Sequence, residues 1–235
     1  MAKQSQPTIL LTRPLAQSQR FAEQIGGALI SPLMRPEFLS PPLPSVDFTA
    51  IVLTSETGAE AAGRISAAGG ILPKRAFCVG HRTAEAARAA GFEASSAAGA
   101  ADDLLAHIIA TAPVGRLLLL QGQDSVGDLK QRLVLAGIET LSLIIYRQIA
   151  QSLTEAAIAA LQEFRPVIVP IFSPRSARLL AAELRRVVAK APIWLAALSP
   201  AVADAFDFPV ECFEIASRPD SAAMQQTVQT LRRRG

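Results

Sequence analysis

Short runs of consecutive apolar residues alternate with alanine-rich stretches along most of this 235-residue chain. The apolar runs read as strands at Thr8–Leu11, Ala50–Leu53, Ala76–Val79, Leu117–Leu120, Leu141–Tyr146, Pro166–Ile171, Ile193–Ala197 and Val210–Ile215. Between most of them the spacing predicts helices, such as Gln17–Ile25, Gly58–Ala67, Thr83–Ala90, Val126–Leu135 and Arg175–Ala189. Strands that are apolar throughout, rather than on alternate residues, must be covered on both faces. Alternating with helices, they predict an α/β fold with parallel sheets.

The units resemble one another in pairs. Ile51-Val-Leu-Thr-Ser-Glu-Thr-Gly-Ala59 parallels Val169-Pro-Ile-Phe-Ser-Pro-Arg-Ser-Ala177, each reading as strand, hydroxyl residue, short loop and helix. Ala76-Phe-Cys-Val-Gly-His-Arg-Thr-Ala-Glu-Ala86 parallels Trp194-Leu-Ala-Ala-Leu-Ser-Pro-Ala-Val-Ala-Asp204. One set of units is complete within residues 48–146, while the other is split between the N-terminus and the chain after residue 165. The expectation is two similar α/β domains, one discontinuous (1–36 with 148–235) and the other inserted into it (37–147). Ser31–Pro44 is too proline-rich for a regular helix and should cross extended from one to the other. With a return near Arg147–Leu153, it would form a two-strand connector beside a cleft.

Composition narrows the class. No apolar run approaches the roughly 18 residues of a membrane span, and Met1–Pro7 does not lead into a signal-peptide core, because Arg13 and Pro14 interrupt the apolar run. Cys78 and Cys212 stand alone in apolar stretches and read as buried thiols of a reducing compartment. A formal charge of +3 suits an anionic ligand without requiring one. Arg232-Arg233-Arg234 reads as a solvated, frayed helix end, and no base-stacking aromatics accompany it, so nucleic acid is not an expected partner.

In open parallel sheets ligands bind where strands end and helices begin. The residues there are Thr12-Arg13, Thr54-Ser55, Gly80-His81-Arg82-Thr83, Gln121–Ser125, Ser173–Ser176 and Ser199-Pro200. Hydroxyls, backbone amides and arginines in such places can cradle anions, although a serine or threonine before a helix is also an ordinary N-cap. His81 is a possible general acid or a merely exposed side chain, and His107 falls within an apolar helix face. No Cys/His/Asp group has metal-ligand spacing, and no nucleophile elbow, phosphate-binding glycine loop or dinucleotide fingerprint occurs. Tyr146, the sole tyrosine, closes the strand that leads back between the expected domains. It either packs there or donates a proton.

In order and spacing the chain resembles the uroporphyrinogen-III synthase family. The matching pieces are Ile9-Leu-Leu-Thr-Arg-Pro14, Ile51-Val-Leu-Thr-Ser55, Cys78–Ala86, Gly122 through Gly127-Asp-Leu129, Tyr146, Phe172-Ser-Pro-Arg-Ser-Ala177 and Ala216-Ser-Arg-Pro-Asp220. The resemblance implies a cytoplasmic, commonly monomeric lyase with no metal or organic cofactor. Its substrate would be hydroxymethylbilane, a polyanionic linear tetrapyrrole, received from hydroxymethylbilane synthase and closed to uroporphyrinogen III with loss of water and inversion of ring D. It further implies that Tyr146 assists departure of the hydroxyl. Arg13, Thr54, Ser55, Gly80, His81, Thr83, Gly122, Ser173, Ser176 and Ser199 would bind substrate. Leu198-Ser-Pro-Ala-Val202 departs from the family's usual glycine and threonine at that helix start. The alternative that shares this architecture is a non-catalytic two-lobed small-molecule binder.

Overall fold

The computed structural model describes residues 6–97, 99–111, 113–125 and 127–234. Val126, with which one expected helix begins, lies outside them, as do residues 1–5 and 235 of the expected discontinuous domain. Among the described residues the order is β1 (Thr8–Leu11), α1 (Leu15–Ile25), β2 (Leu29–Ile30), β3 (Met34–Phe38), β4 (Ala50–Leu53), α2 (Glu56–Ala67), β5 (Arg75–Cys78), α3 (His81–Ala89), β6 (Glu93–Ser96) and α4 (Ala101–Thr111). It continues with β7 (Leu117–Gly122), α5 (Leu129–Leu135), β8 (Thr140–Ala150), α6 (Glu155–Gln162), β9 (Val167–Ile171), α7 (Pro174–Arg186), β10 (Ile193–Ala197), α8 (Pro200–Asp204), β11 (Cys212–Ile215) and α9 (Ser221–Arg232).

The chain divides into two compact units, Met1–Arg35 with Ala150–Gly235, and Pro36–Ile149. The first carries a sheet ordered β11-β10-β9-β1-β2, with parallel pairing throughout. Leu10, Val169 and Leu195 face a core shared with α6, α7 and α8. Ile9, Ile168 and Trp194 face a second core with α1 and α9. These strands are apolar at every position because each face has its own helical cover.

The second unit carries a sheet ordered β3-β8-β7-β4-β5-β6, in which β8, β7, β4, β5 and β6 run parallel. Ile51 and Leu53 pack under α2 and α3, and Ala50 and Val52 under α4 and α5. The alanines let helices approach closely: a Cβ on Gly63 of α2 would stand 2.8 Å from the Cβ of Ala90 at the end of α3. β3 takes the edge, where Pro36 can replace a ladder N–H without loss.

Each sheet reverses its winding once. β1 leads to β2 on one side while β9, β10 and β11 build the other; β4 leads to β5 and β6 on one side while β7 and β8 build the other. The reversal points lie between β1 and β9 and between β4 and β7, where helices depart to opposite faces; sheets of this kind take ligands at such points, at the strands' carboxyl ends.

Several expectations need correction. Tyr146 does not close its strand, because β8 runs on to Ala150. The expected short loops before α2 and α7 are absent, since Ser55 and Ser173 cap those helices directly. Cys78 is fully buried, which pushes its thiol up to about 11 against the opposing effect of Arg88, but Cys212 opens β11 and is only half-buried. The C-terminal arginines are not a free solvated end. Arg232 donates to the Ile25 carbonyl at 2.9 Å, and Arg234 donates to Cys212 Sγ at 2.9 Å and pairs with Glu214. They fasten α9 to the end of α1 and to β11.

Among the described residues one non-glycine residue carries a left-handed backbone. Val188, just past α7, has φ 50°, and the Ala189 amide reaches back to the Leu184 carbonyl at 3.0 Å. That left-handed closing turn suits glycine, whereas a β-branched residue pays for it sterically. Because Val188 is 71% exposed, it buries little in return. Val188→Gly should therefore stabilise the protein by about 1 kcal/mol, read as a higher midpoint in urea; an unchanged or lower midpoint would show that the turn is unstrained.

Candidate active site

The second unit gathers three of the expected residues at its winding reversal. Ser55 follows β4 and caps α2 from an extended conformation, accepting the Gly58 amide at 3.0 Å. The Ser55 hydroxyl also lies 2.9 Å from the Tyr146 hydroxyl. Gly122 ends β7 directly opposite Tyr146. A Cβ there would fall 2.6 Å from Tyr146 Cζ and 2.8 Å from its hydroxyl, so the ring occupies the space that any side chain at 122 would need.

A β-bulge aims the ring. Gln121 pairs with Ile144, but Gly122 pairs with Tyr146, so Ile145 is an extra residue in β8. Neighbouring strand residues ordinarily point to opposite faces. Here both Ile145 and Tyr146 enter the core beneath α2 and α3, because the added residue turns the second side chain back to the same face. The Gln123 amide, donating to the Tyr146 carbonyl at 2.9 Å, closes the ladder beyond the bulge.

The other expected residues of this unit stand apart from that trio. Thr54 lines a hollow of about 460 Å³ with Gln121, Ser125, Asp128, Lys130 and Ser142, next to the core under α4 and α5. Gly80 caps α3 through extended backbone, and a Cβ there would meet Gly99 at van der Waals contact, 3.4 Å from its Cα. His81 is exposed at the first position of α3, and Thr83 is buried two residues on. His107 is not part of the site; its Nε2 lies 3.0 Å from Ser95 Oγ and its ring stands edge-on to Phe77.

The first unit repeats the arrangement with different chemistry. Ser173 caps α7 with φ −154° and ψ 152°, against −154° and 153° at Ser55. It accepts the Ser176 amide at 3.2 Å, and its hydroxyl lies 2.9 Å from the Ser176 hydroxyl. Arg13, after β1, lays its guanidinium 3.9 Å from the centre of the Phe172 ring, which meets Phe21 edge-on at 5.2 Å. The cation thus sits over an aromatic ring at this sheet's own winding reversal. Ser199 matches Gly80, capping α8 from φ −158° and ψ 165° with no side-chain bond.

Sequence reasoning missed three contributors. Phe172 supports Arg13, Gly58 donates to Ser55, and Lys130 lines the Thr54 hollow. Gly58 could have been found as the third helical residue after a capping serine. The stacking of Phe172 on Arg13 joins residues far apart in sequence and left no local signal. Among the described residues no group of three or more His, Cys, Asp or Glu side chains could hold a metal ion, and no helix is long and apolar enough to cross a membrane.

Two doubly wound parallel sheets, each with hydroxyls and helix N-termini at its carboxyl edge, define a two-unit α/β protein of the architecture that binds ligands at such edges. The uroporphyrinogen-III synthase HemD family matches residues 17–226, and the chain belongs to that family. It is therefore an enzyme of tetrapyrrole synthesis, and its function is that of a uroporphyrinogen-III synthase. The fold is similar to that of a uroporphyrinogen-III synthetase from Helicobacter pylori 26695, with a TM-score of 0.64 and 16% identity over 96% of this chain and 99% of that one. A mutant uroporphyrinogen III synthase from the extremely thermophilic bacterium Thermus thermophilus aligns with a TM-score of 0.46 and 17% identity, over 96% and 98% of the two chains. No curated protein sequence matches the chain.

Gly122→Ala should force the Tyr146 ring off Ser55 and destabilise the protein by about 1–3 kcal/mol, as overpacked sites do. Urea denaturation checks this, and a midpoint within error of the parent would mean that the ring shifts freely.

Proposed function

We propose that Tyr146 is the proton donor of the reaction and that the remaining expected residues, apart from Ser55 beside it, hold the substrate. The observation carrying this reading is the placement of the Tyr146 hydroxyl, 2.9 Å from Ser55 Oγ, at the winding reversal of its sheet. A phenol held there by a bulge and an opposing glycine is fixed in position before any substrate arrives.

Hydroxymethylbilane carries a terminal hydroxymethyl group and carboxylates on every pyrrole. Tyr146 gives its proton to the departing hydroxyl; the C–O bonding pair leaves with the oxygen as water, and the pyrrole nitrogen supplies electrons to the vacated carbon. The resulting azafulvenium is attacked by the far end of the chain, forming a spiro intermediate that fragments and recloses with ring D inverted. Loss of a proton from the pyrrole carbon restores aromaticity and balances the one given up by Tyr146. The sum is elimination of water, so the enzyme is a lyase of the hydro-lyase type.

The linear substrate also closes unaided to the type I ring, so most of the enzyme's work is orientation. Donors suited to carboxylates are Arg13 on its aromatic base and the hydroxyls or amides at Thr54, Gly80, His81, Thr83, Gly122, Ser173, Ser176 and Ser199. Each helix N-terminus favours an anion by roughly 0.3–1 kcal/mol when exposed. The reading includes two working domains, 1–36 with 148–235 and 37–147, which the separation at Arg35/Pro36 and Ile149/Ala150 supports. It also includes a monomer in the cytoplasm that takes its unstable substrate from hydroxymethylbilane synthase. Two free thiols, one of them fully buried, suit that reducing compartment.

The test offers freshly generated hydroxymethylbilane to the full chain and separates the oxidised products by isomer. Predominance of the type III ring is expected, whereas type I alone from folded protein would overturn the assignment. In the same assay Tyr146→Phe should lower kcat by about 100-fold. Unchanged turnover would remove the proton-donor role and leave the synthase activity standing.

A further inference from the structure

Ser55 was expected among the substrate ligands, but its hydroxyl is already engaged twice within the protein. It has one proton and two lone pairs. A lone pair accepts the Gly58 amide at 3.0 Å, and the Tyr146 hydroxyl lies at 2.9 Å. Two directions are open for the second bond. If Tyr146 donated, its only phenolic proton would be committed to Ser55 and withheld from a substrate. If Ser55 donates, the tyrosine oxygen is held by an incoming hydrogen bond and its own proton stays uncommitted. The second direction is favoured by the first bond: a hydroxyl that accepts from an amide at a helix N-terminus becomes a stronger donor.

The other half of the molecule supplies an internal comparison. Ser173 has the same backbone conformation and the same capping role, yet its hydroxyl is 2.9 Å from that of Ser176, the third residue of the motif. In the Ser55 motif the third residue is Gly58, which has no hydroxyl to compete. A Cβ on Gly58 would lie 3.1 Å from Ser55 Oγ, so a serine there would place its own oxygen within easy reach of Ser55.

We propose that Ser55 is a positioning residue: it donates to the Tyr146 oxygen, aims the phenolic proton at the departing hydroxyl of the substrate, and is kept available for this by the absence of a side chain at Gly58. The inference rests on Tyr146 acting as the proton donor. As the proton passes to the leaving oxygen and the C–O pair departs in water, the Ser55 hydrogen bond remains on the phenolate and stabilises the charge left there.

Ser55 also caps α2, so its loss could act through stability alone. Ser55→Asp separates the roles, because a carboxylate still accepts the Gly58 amide but has no proton to give. Ser55→Thr retains both roles. Tyr146 is the only tyrosine in the chain, so labelling tyrosine with ¹³C at Cζ yields a single resonance that reports its hydrogen bonding without assignment. Relative to the parent, Ser55→Asp should lower kcat about tenfold or more with KM little changed, and should move the Cζ resonance. Ser55→Thr should restore both to near the parent. Gly58→Ser, by capturing the Ser55 hydroxyl, should lower kcat and move the resonance away from its parent position.

Adding Ser55→Asp to Tyr146→Phe should slow the enzyme no further, since the two act as one unit. The proposal is overturned if Tyr146→Phe lowers kcat while Ser55→Asp does not, or if Ser55→Asp lowers kcat with the resonance unmoved. It is overturned equally if the double variant loses the product of the two single effects. Should Tyr146→Phe itself leave kcat unchanged, the tyrosine reading fails first and this inference falls with it.

Discussion

Burial of strands on both faces is the constraint from which the rest of this structure follows. Such strands need a helix layer on each side, and a chain can supply both layers only by reversing its winding within the sheet. In one unit the reversal separates β1 from β9, and in the other it separates β4 from β7. At each, two helices depart to opposite faces. Arg13 with Phe172 occupies one such place and Ser55 with Gly122 and Tyr146 the other. The location of polar chemistry is thereby decided by packing before any residue there is chosen.

Within that frame, small departures from regularity do the fine positioning. A single extra residue, Ile145, turns Tyr146 toward α2 and α3, and a glycine across the ladder leaves room for its ring. The capping serine that begins α2 then meets the phenol. None of the three would suffice alone: without the bulge the ring faces the other core, with a side chain at 122 it collides, and without Ser55 its oxygen loses this partner.

The architecture was legible in the sequence because fully buried parallel strands leave continuous apolar runs; Thr8–Leu11, Ala50–Leu53 and Ile193–Ala197 have the expected limits. Ser55 and Ser173, paired in the sequence by the motifs around them, do occupy the same backbone conformation. Edge strands were not, because β6, Glu93–Ser96, contains no apolar run and β2 has only two residues. Tyr146 was singled out as the sole tyrosine, but the bulge that orients it is a mismatch between two strands and is invisible in either one. The C-terminal arginines misled for a related reason. Their partners, the Ile25 carbonyl, Glu214 and Cys212, are fixed only when α9 docks, and a basic run by itself resembles any solvated end.

The reliance on backbone shape at Gly122 has an evolutionary reading. What the trio demands of its surroundings is a bulge, a gap and a capped helix end; the gap needs glycine, but the bulge and the cap can each be met by many different local sequences. Selection then acts on the course of the main chain and spares only a few side chains, leaving the others free to drift. A chain of this kind can keep its fold while retaining 16% of its residues in common with a relative of similar length.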